Sequence, residues 1–182
     1  MDPVEINAGA WYLRAPRADD RIDDRPAVVA SFADPEIRRW RRRPSPGVEE
    51  ADAYIRRRAQ DWVRDERYAW SVCDPATGEM LGEVELAELD LAMGVAVATS
   101  WALPAARGRG MITTVLSAVL RFGFGGLGLH RVGCAWADGN AASARVAEKC
   151  GFTVEGRIRS SWVDGCGERY DVIIAGRLAT DR

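Results

Sequence analysis

The sequence predicts one α/β domain, of the α+β kind, spanning residues 1–182, and three observations support this prediction. A chain of 182 residues is long enough for one substantial core and too short for two typical domains. Hydrophobic residues make up 47% of it and seven residues are tryptophan, which excludes a disordered chain. Segments with helical spacing alternate with segments of period two, and no internal repeat interrupts them.

The N-terminal third contains one predicted strand and two predicted helices. Trp11 to Arg14 is typical of a short strand, and helical spacing runs over Asp19 to Ala33 and over Val48 to Glu66. Between the helices lies IRRWRRRPSPG, residues 37–47, where two prolines and a glycine end any helix. We therefore expect a loop in this segment.

From Tyr68 onwards, period-two alternation and turn residues predict the other strands, which brings the sheet to about seven strands with about four helices. The predicted strands span residues 68–74, 79–89, 93–103, 130–138, 153–163 and 169–178, and the predicted helices span 111–124 and 140–149. Only the crossover from 93–103 through the helix to 130–138 has the length of a parallel βαβ unit. The sheet is therefore expected to be mixed and mostly antiparallel.

Composition narrows the classes of function. The formal net charge is −2, which gives no general case for a nucleic-acid or membrane partner. The four cysteines lack CxxC spacing and His130 is the single histidine, so the usual rules assemble no metal site. Free thiols, the lack of a recognisable secretory signal and the lack of a long apolar run predict a cytoplasmic protein.

The segment WALPAARGRGMITTVL, residues 101–116, is the strongest candidate for a binding site. A strand that enters a helix through glycines leaves unpaired N–H groups at the helix N-terminus, where the macrodipole favours an anion. Gly108 and Gly110 allow a phosphate to approach the main chain, and Arg107 and Arg109 offer charge-assisted bonds. The pattern fits neither a P-loop nor a dinucleotide fingerprint, and a glycine turn without a ligand is the alternative.

Two linked motifs carry a family resemblance. LPAARGRGMITTVL followed by ADGNAASARVAEKCGFTVEG resembles the GNAT superfamily of acyl-CoA-dependent N-acyltransferases, in particular the branch with ribosomal-protein N-terminal acetyltransferases. The family loop has the form Arg/Gln-x-x-Gly-x-Gly/Ala, and Ala105 departs from it at the first position. The resemblance implies the GNAT fold, with the sheet splayed between its fourth and fifth predicted strands, 93–103 and 130–138.

The resemblance also implies a set of cofactor contacts. Main-chain groups of Trp101 and Leu103 would bind the pantetheine arm, and an N–H near Ser100 or Trp101 would polarise the thioester carbonyl. Asn140 caps a helix and contacts the cofactor, and the hydroxyl of Ser143 can protonate the leaving thiolate. The expected cofactor-binding residues are Trp101, Ala102, Leu103, Arg107, Gly108, Arg109, Gly110, Met111, Ile112, Thr113, Asn140, Ser143 and Lys149.

A general base is harder to find in the sequence. Where some relatives carry an acidic residue after the EG motif, this chain has Trp162. Glu83 and Glu85 share one face of the strand before the loop and are the candidate bases, with Glu88 and Asp90 on the same strand. The alternatives are that these carboxylates are solvated charges at a sheet edge, or that positioning of the amine alone suffices. His130 is expected to be structural.

The acceptor is expected to lie against the first two helices and the last hairpin loop, Ser160 to Glu168. The arginines of residues 37–47 either attract an acidic substrate and line the acceptor groove or form a solvated face. The resemblance implies transfer of an acyl group, most simply acetyl from acetyl-CoA, to a primary amine in a ternary complex. A non-catalytic CoA-binding sensor is the alternative, and relatives of this branch imply a homodimer.

Overall fold

The computed structural model describes residues 1–181 and contains one eight-stranded sheet in the order β1-β2-β3-β4-β5-β6-β8-β7. The strands are β1 Ile6–Ala8, β2 Trp11–Arg14, β3 Tyr68–Cys73, β4 Met80–Asp90, β5 Val95–Ala102, β6 Arg131–Ala137, β7 Thr153–Val163 and β8 Arg169–Leu178. The helices are α1 Arg25–Ala33, α2 Pro35–Trp40, α3 Val48–Val63, α4 Met111–Gly125 and α5 Ala141–Lys149. A single 3-10 turn, Pro104–Ala106, precedes α4. The described residues contain no helix that is both long and apolar enough to cross a bilayer.

The prediction of an α/β fold with a mixed, mostly antiparallel sheet is confirmed, although β1 and α2 were not predicted. Strand β1 has only three residues, too few to show alternation. Helix α2 forms inside the segment expected to be a loop, because the Asp34 carboxylate caps it by accepting from the Ile37 N–H at 2.8 Å and Pro35 suits the first helical position. It ends at Trp40, before the prolines take effect.

Helix α1 begins later than its spacing predicts. The Asp19 carboxylate accepts hydrogen bonds from the N–H groups of Arg21 and Ile22, which fixes a turn instead of a first helical turn. The helix starts at Arg25, with Pro26 in its first turn. Local side-chain bonding therefore overrides helical spacing in this segment.

The expected splay is present between β5 and β6. These strands pair in parallel only where Val95–Val97 faces Arg131–Gly133, whereas every other neighbouring pair of strands is antiparallel. Beyond these pairs β5 continues to Ala102 and β6 to Ala137 without contact in the ladder. We call residues 98–102 the open edge of β5.

Two hydrophobic clusters cover the two faces of the sheet near the splay. The larger cluster joins α4 to the sheet through side chains such as Val115, Val119 and Leu86. The smaller cluster joins α1, α2 and α3 to Met80 and Trp101. The splay therefore has α4 on one side and the three N-terminal helices on the other.

Candidate active site

The two glycines between β5 and α4 both have left-handed backbone conformations. Gly108 and Gly110 each have φ of 74°, and Gly110 is the N-cap of α4. A Cβ built on either residue would meet nothing within 4 Å. Glycine is therefore required here by the positive φ, and the space above both residues is open.

A run of main-chain N–H groups follows these glycines without protein acceptors. Within residues 1–181, none of the six N–H groups from Gly108 to Thr113 donates a hydrogen bond, and the first helical bond joins the Thr114 N–H to the Gly110 carbonyl at 3.1 Å. The N-terminal end of α4 adds its partial positive charge. Six unpaired donors around an open space form a cradle suited to a multiply charged anion.

The two arginines of this loop differ in their contacts. Arg107 donates through Nη2 to the Asp34 carboxylate at 2.5 Å and through Nε to the Ala102 carbonyl at 3.1 Å. Arg109 is exposed and has no hydrogen bond or ion pair among the described residues. The guanidinium of Arg107 is thus used within the protein, and that of Arg109 remains available to a ligand.

Main-chain groups of β5 alternate between the β4 side and the open side. The Leu103 N–H donates to the Leu81 carbonyl of β4 at 2.9 Å, and Trp101 shares this orientation because it lies two residues earlier. The groups of Ser100 and Ala102 therefore face the opening. The expectation that main-chain groups of Trp101 and Leu103 bind the pantetheine arm stays a prediction, although the Leu103 N–H is already paired with β4.

The start of α5 has the predicted cap. The Asn140 side chain accepts a hydrogen bond from the Ser143 N–H at 3.1 Å, so Asn140 is the N-cap. The Ser143 hydroxyl has no hydrogen-bond partner among residues 1–181 and stays free to act on a ligand. Lys149 lies exposed in the last turn of the same helix.

Glu85, one of the two candidate bases, is buried in a cluster of arginines, which excludes the alternative that it is a solvated charge at a sheet edge. It is 0% exposed and accepts from Arg41 at 2.8 Å and from Arg67 at 2.6 Å, with Arg58 at 3.2 Å and the Thr99 hydroxyl also in contact. Burial alone would raise the pKa of Glu85, but the three guanidinium groups outweigh it and hold the pKa well below its usual range. Glu85 is therefore firmly ionised.

Glu83 lies on the same face of β4, as predicted, in a less charged environment. It is 0% exposed, and its Oε1 accepts from the Tyr54 hydroxyl at 2.5 Å and from the Trp101 indole at 3.2 Å. Its Oε2 is buried without a partner. Burial, helped by the charge of Glu85, raises the pKa of Glu83. Two carboxylates two residues apart thus have opposite pKa shifts.

Four of the five arginines of residues 38–43 make contacts within the protein, although Arg38 and Arg39 are also exposed. Arg39 contacts Asp164, Arg41 contacts β4 and β5, and the Arg43 guanidinium lies 5.4 Å from the Trp101 ring. Arg38 donates to the carbonyl groups of Phe32 and Pro44. Arg42 alone in this segment is exposed without such contacts among the described residues. The partners of Arg39, Arg41 and Arg43 lie far away in the chain, so no local pattern could predict them.

Helix α2 also contacts the strands on the far side of the splay. Arg39 lies 3.3 Å from Asp164 in the β7–β8 loop and donates to the Tyr170 hydroxyl at 2.9 Å, and the rings of Trp40 and Tyr170 pack edge to face. The end of α2 therefore bridges the two sides of the opening. The expected acceptor region, between the N-terminal helices and the last hairpin loop, is brought together in this way.

Two residues that the sequence singled out lie apart from these contacts. His130 is exposed just before β6, at the end of that strand where it still pairs with β5. Trp162 lies near the end of β7, and its indole N–H is buried without a partner in residues 1–181. Glu88 and Asp90, the remaining candidate bases, are exposed at the far end of β4.

The chain is similar to known proteins over most of its length. The family model described as Acetyltransferase (GNAT) domain matches residues 12–153. A curated relative, the uncharacterized N-acetyltransferase YoaA of Bacillus subtilis (strain 168), is 28% identical over 149 residues, which are 81% of this chain and 84% of that protein.

Solved structures share the fold at low sequence identity. A ribosomal-protein-S5-alanine acetyltransferase from Vibrio fischeri has a TM-score of 0.84 at 16% identity, covering 98% of each chain. RimL, a ribosomal L7/L12 alpha-N-protein acetyltransferase solved in complex with coenzyme A, has a TM-score of 0.82 at 20% identity. That comparison covers 96% of this chain and 98% of RimL.

Proposed function

Because the chain belongs to the GNAT acetyltransferase family, we propose that this N-acetyltransferase moves acetyl from acetyl-CoA to a primary amine, either a protein N-terminus or a small molecule. The amine attacks the thioester directly in a ternary complex. The observation that carries the proposal is the run of six N–H groups from Gly108 to Thr113 that have no acceptor among residues 1–181, next to the open space at Gly108 and Gly110. Such donors fit the pyrophosphate of CoA.

The rest of the cofactor would follow the open edge of β5. The main-chain N–H groups of Ser100 and Ala102 face the opening and are suited to carbonyl groups of the thioester and the pantetheine arm, whereas the carbonyl groups of both residues already accept from arginines. Arg109 would add a charge-assisted bond to a phosphate, and Asn140 and Lys149 lie on α5 at the expected cofactor side. The cofactor would contact only the main-chain N–H groups of Met111, Ile112 and Thr113.

The reaction forms a C–N bond and breaks the C–S bond of the thioester. We assign the proton donor for the leaving thiolate to Ser143, whose hydroxyl is free of intramolecular bonds. Of the two predicted bases, Glu83 suits the role better than Glu85, since its pKa is raised and its Oε2 has no partner. Because Glu83 is fully buried, it would take a proton only through an intervening water.

Two measurements test the proposed function. Calorimetry with CoA and acetyl-CoA measures binding, and acetyl-CoA at a hundred times its Kd should raise the free energy of unfolding by about 2.7 kcal/mol. Release of free thiol from acetyl-CoA is then followed with tetrapeptides, spermidine and an aminoglycoside as acceptors. Succinyl-CoA in place of acetyl-CoA tests the donor.

The variant Ser143→Ala separates catalysis from binding. We expect turnover to fall at least tenfold while the Kd for CoA changes little, because the hydroxyl acts on the leaving group. Ala142→Ser, one residue away in the same exposed first turn of α5, is the matched control. Binding of acetyl-CoA without thiol release for any amine would contradict acetyl transfer and indicate a sensor.

A further inference from the structure

Two carbonyl groups on the open edge of β5 each accept a hydrogen bond from an arginine. Arg41 donates through Nη1 to the Ser100 carbonyl at 3.0 Å, and Arg107 donates through Nε to the Ala102 carbonyl at 3.1 Å. Carbonyl oxygens are the groups that would otherwise accept hydrogen bonds from an ammonium ion and so stabilise it. The open edge therefore presents guanidinium groups where a protonated amine would need acceptors.

The charge of Arg41 is only partly neutralised by its carboxylate partner. Glu85 accepts from Arg41 at 2.8 Å, but it also contacts Arg67 at 2.6 Å and Arg58 at 3.2 Å. The other carboxylate in this group is Asp61, which contacts Arg58 and Arg67. Arg58 and Arg67 thus each have a second carboxylate partner, whereas Arg41 contacts Glu85 alone among the carboxylates of residues 1–181. Arg41, with its side chain 24% exposed, is also the guanidinium group that reaches the open edge.

The carboxylates of β4 cannot contact an incoming amine directly. Glu83 and Glu85 are both 0% exposed, and Tyr54 and Trp101 cover the Oε1 of Glu83. Glu83 also lies 3.8 Å from Arg58, for which it is a further counter-charge. A general base must lie within hydrogen-bond reach of the proton it takes, or one water away. Direct contact with either carboxylate therefore cannot remove the first proton of the ammonium ion.

We infer that Arg41 is an electrostatic positioning residue for the acceptor: its guanidinium at the Ser100 carbonyl favours the uncharged, nucleophilic form of the amine at the open edge. This inference rests on the proposed function. One proton of the ammonium leaves to solvent before attack. The amine nitrogen then bonds to the thioester carbon and gives a second proton to a water as the C–S bond breaks. The thiolate takes the proton of the Ser143 hydroxyl, and the Ser143 oxygen recovers a proton from that water.

The test is the pH dependence of kcat at saturating acetyl-CoA and acceptor, because kcat reports groups in the bound complex. The acceptor is the fastest of the tetrapeptides, spermidine and aminoglycoside. The wild type is compared with Arg41→Gln, which removes the charge, and Arg41→Lys, which keeps it. Arg42→Gln is the matched control, since Arg42 is the exposed next residue and contacts no acid in residues 1–181. Thermal unfolding checks that each variant is folded.

We expect the acid limb of the profile of kcat against pH to shift to higher pH by about one unit in Arg41→Gln, because the ammonium form of the amine is then less disfavoured. At a pH below that limb, kcat should fall about tenfold. At high pH the two rates should converge, because the amine is then uncharged in both proteins. Arg41→Lys and Arg42→Gln should keep the wild-type limb. This convergence distinguishes the electrostatic role from a structural one, which would lower kcat equally at every pH.

Three results would overturn the inference. The first is an unshifted limb in Arg41→Gln, and the second is a limb that Arg42→Gln moves by the same amount. The third is loss of the limb in Glu83→Gln, which would show that Glu83 and not the amine titrates. A wild-type protein that binds acetyl-CoA but acetylates none of the amines would overturn the proposed function itself, and this inference with it.

Discussion

The carboxylate cluster, which comprises Glu83 and Glu85 with the arginines around them, contrasts with the glycine loop, residues 107–111. In the cluster, the polar groups belong to buried side chains, and the charge of Glu85 is paired with guanidinium groups of the protein. In the loop, the main chain supplies the donors and leaves them without partners among the described residues. Glu85 is therefore fully paired without a ligand, whereas the donors of the loop remain available to one.

The largest expected effect comes from the cluster. Glu85→Gln removes the charge that three guanidinium groups share, and it should lower the free energy of unfolding by about 3–5 kcal/mol, because breaking a buried ion pair leaves uncompensated charge. Thermal or denaturant unfolding measures this change. Glu79→Gln, at an exposed residue whose carboxylate contacts nothing in residues 1–181, is the control and should have no measurable effect. A loss below 1 kcal/mol in Glu85→Gln would mean that the cluster is not structural.

In the glycine loop, the expected effect of a substitution comes from its backbone conformation. Gly110→Ala forces a Cβ into a left-handed conformation, which costs about 1–2 kcal/mol of unfolding free energy although the Cβ itself meets open space. The Kd for CoA should rise as the cradle shifts. Gly125→Ala, also in open space but in the last residue of α4, should be neutral or slightly stabilising. An equal loss of unfolding free energy in Gly110→Ala and Gly125→Ala would show that the positive φ of Gly110 does not require glycine.

The two carboxylates of the cluster should respond to pH in opposite directions. The folded-state pKa of Glu85 lies below that of the unfolded chain, about 4.3, so ionised Glu85 stabilises the fold above that pH and this contribution is lost as pH falls. The folded-state pKa of Glu83 is raised, so its contribution is present below about pH 4.3 and is lost as pH rises through the folded pKa.

Unfolding free energies at pH 4 and pH 7 measure this difference. The destabilisation by Glu85→Gln should be smaller at pH 4 than at pH 7, and that by Glu83→Gln should be larger at pH 4. Each unit of pKa difference corresponds to about 1.4 kcal/mol. Parallel trends in the two variants would show that the two side chains titrate as one unit.

The smallest effects should separate the two loop arginines. Arg107→Gln breaks the contacts to Asp34 and Ala102 and should lower the free energy of unfolding by about 0.2–1 kcal/mol. Arg109→Gln should leave stability unchanged and weaken CoA binding a few-fold, less so at high salt because the charge is exposed. Calorimetry at two salt concentrations, with unfolding curves for both variants, checks these outcomes. If instead Arg107→Gln weakened CoA binding and Arg109→Gln did not, Arg107 would be the arginine that contacts the ligand.

The sequence allows much of the loop and little of the cluster to be predicted. Gly108, Gly110 and the Asn140 cap are local signals, since positive φ and helix capping depend on residues that are adjacent in the chain. Alternation also places Glu83 and Glu85 on one face of β4. It does not reveal what covers that face, because Arg41, Arg58 and Arg67 come from other elements.

Helix α2 is a second element that the sequence pattern does not predict. The segment 37–47 is expected to be a loop because of its prolines, but Asp34 and Pro35 start a short helix that already ends at Trp40. Six residues are too few for periodicity to be recognised. The role of its arginines depends on contacts with β5 and the β7–β8 loop, which only the folded chain brings near.

Only three residue pairs join β5 to β6, so the sheet consists of two leaves that share a short seam. Away from this seam, α4 packs against strands of both leaves, and Arg39 of α2 contacts Asp164 and Tyr170 on the far leaf. Packing of helices, more than hydrogen bonds of the sheet, therefore sets the width of the gap between the leaves.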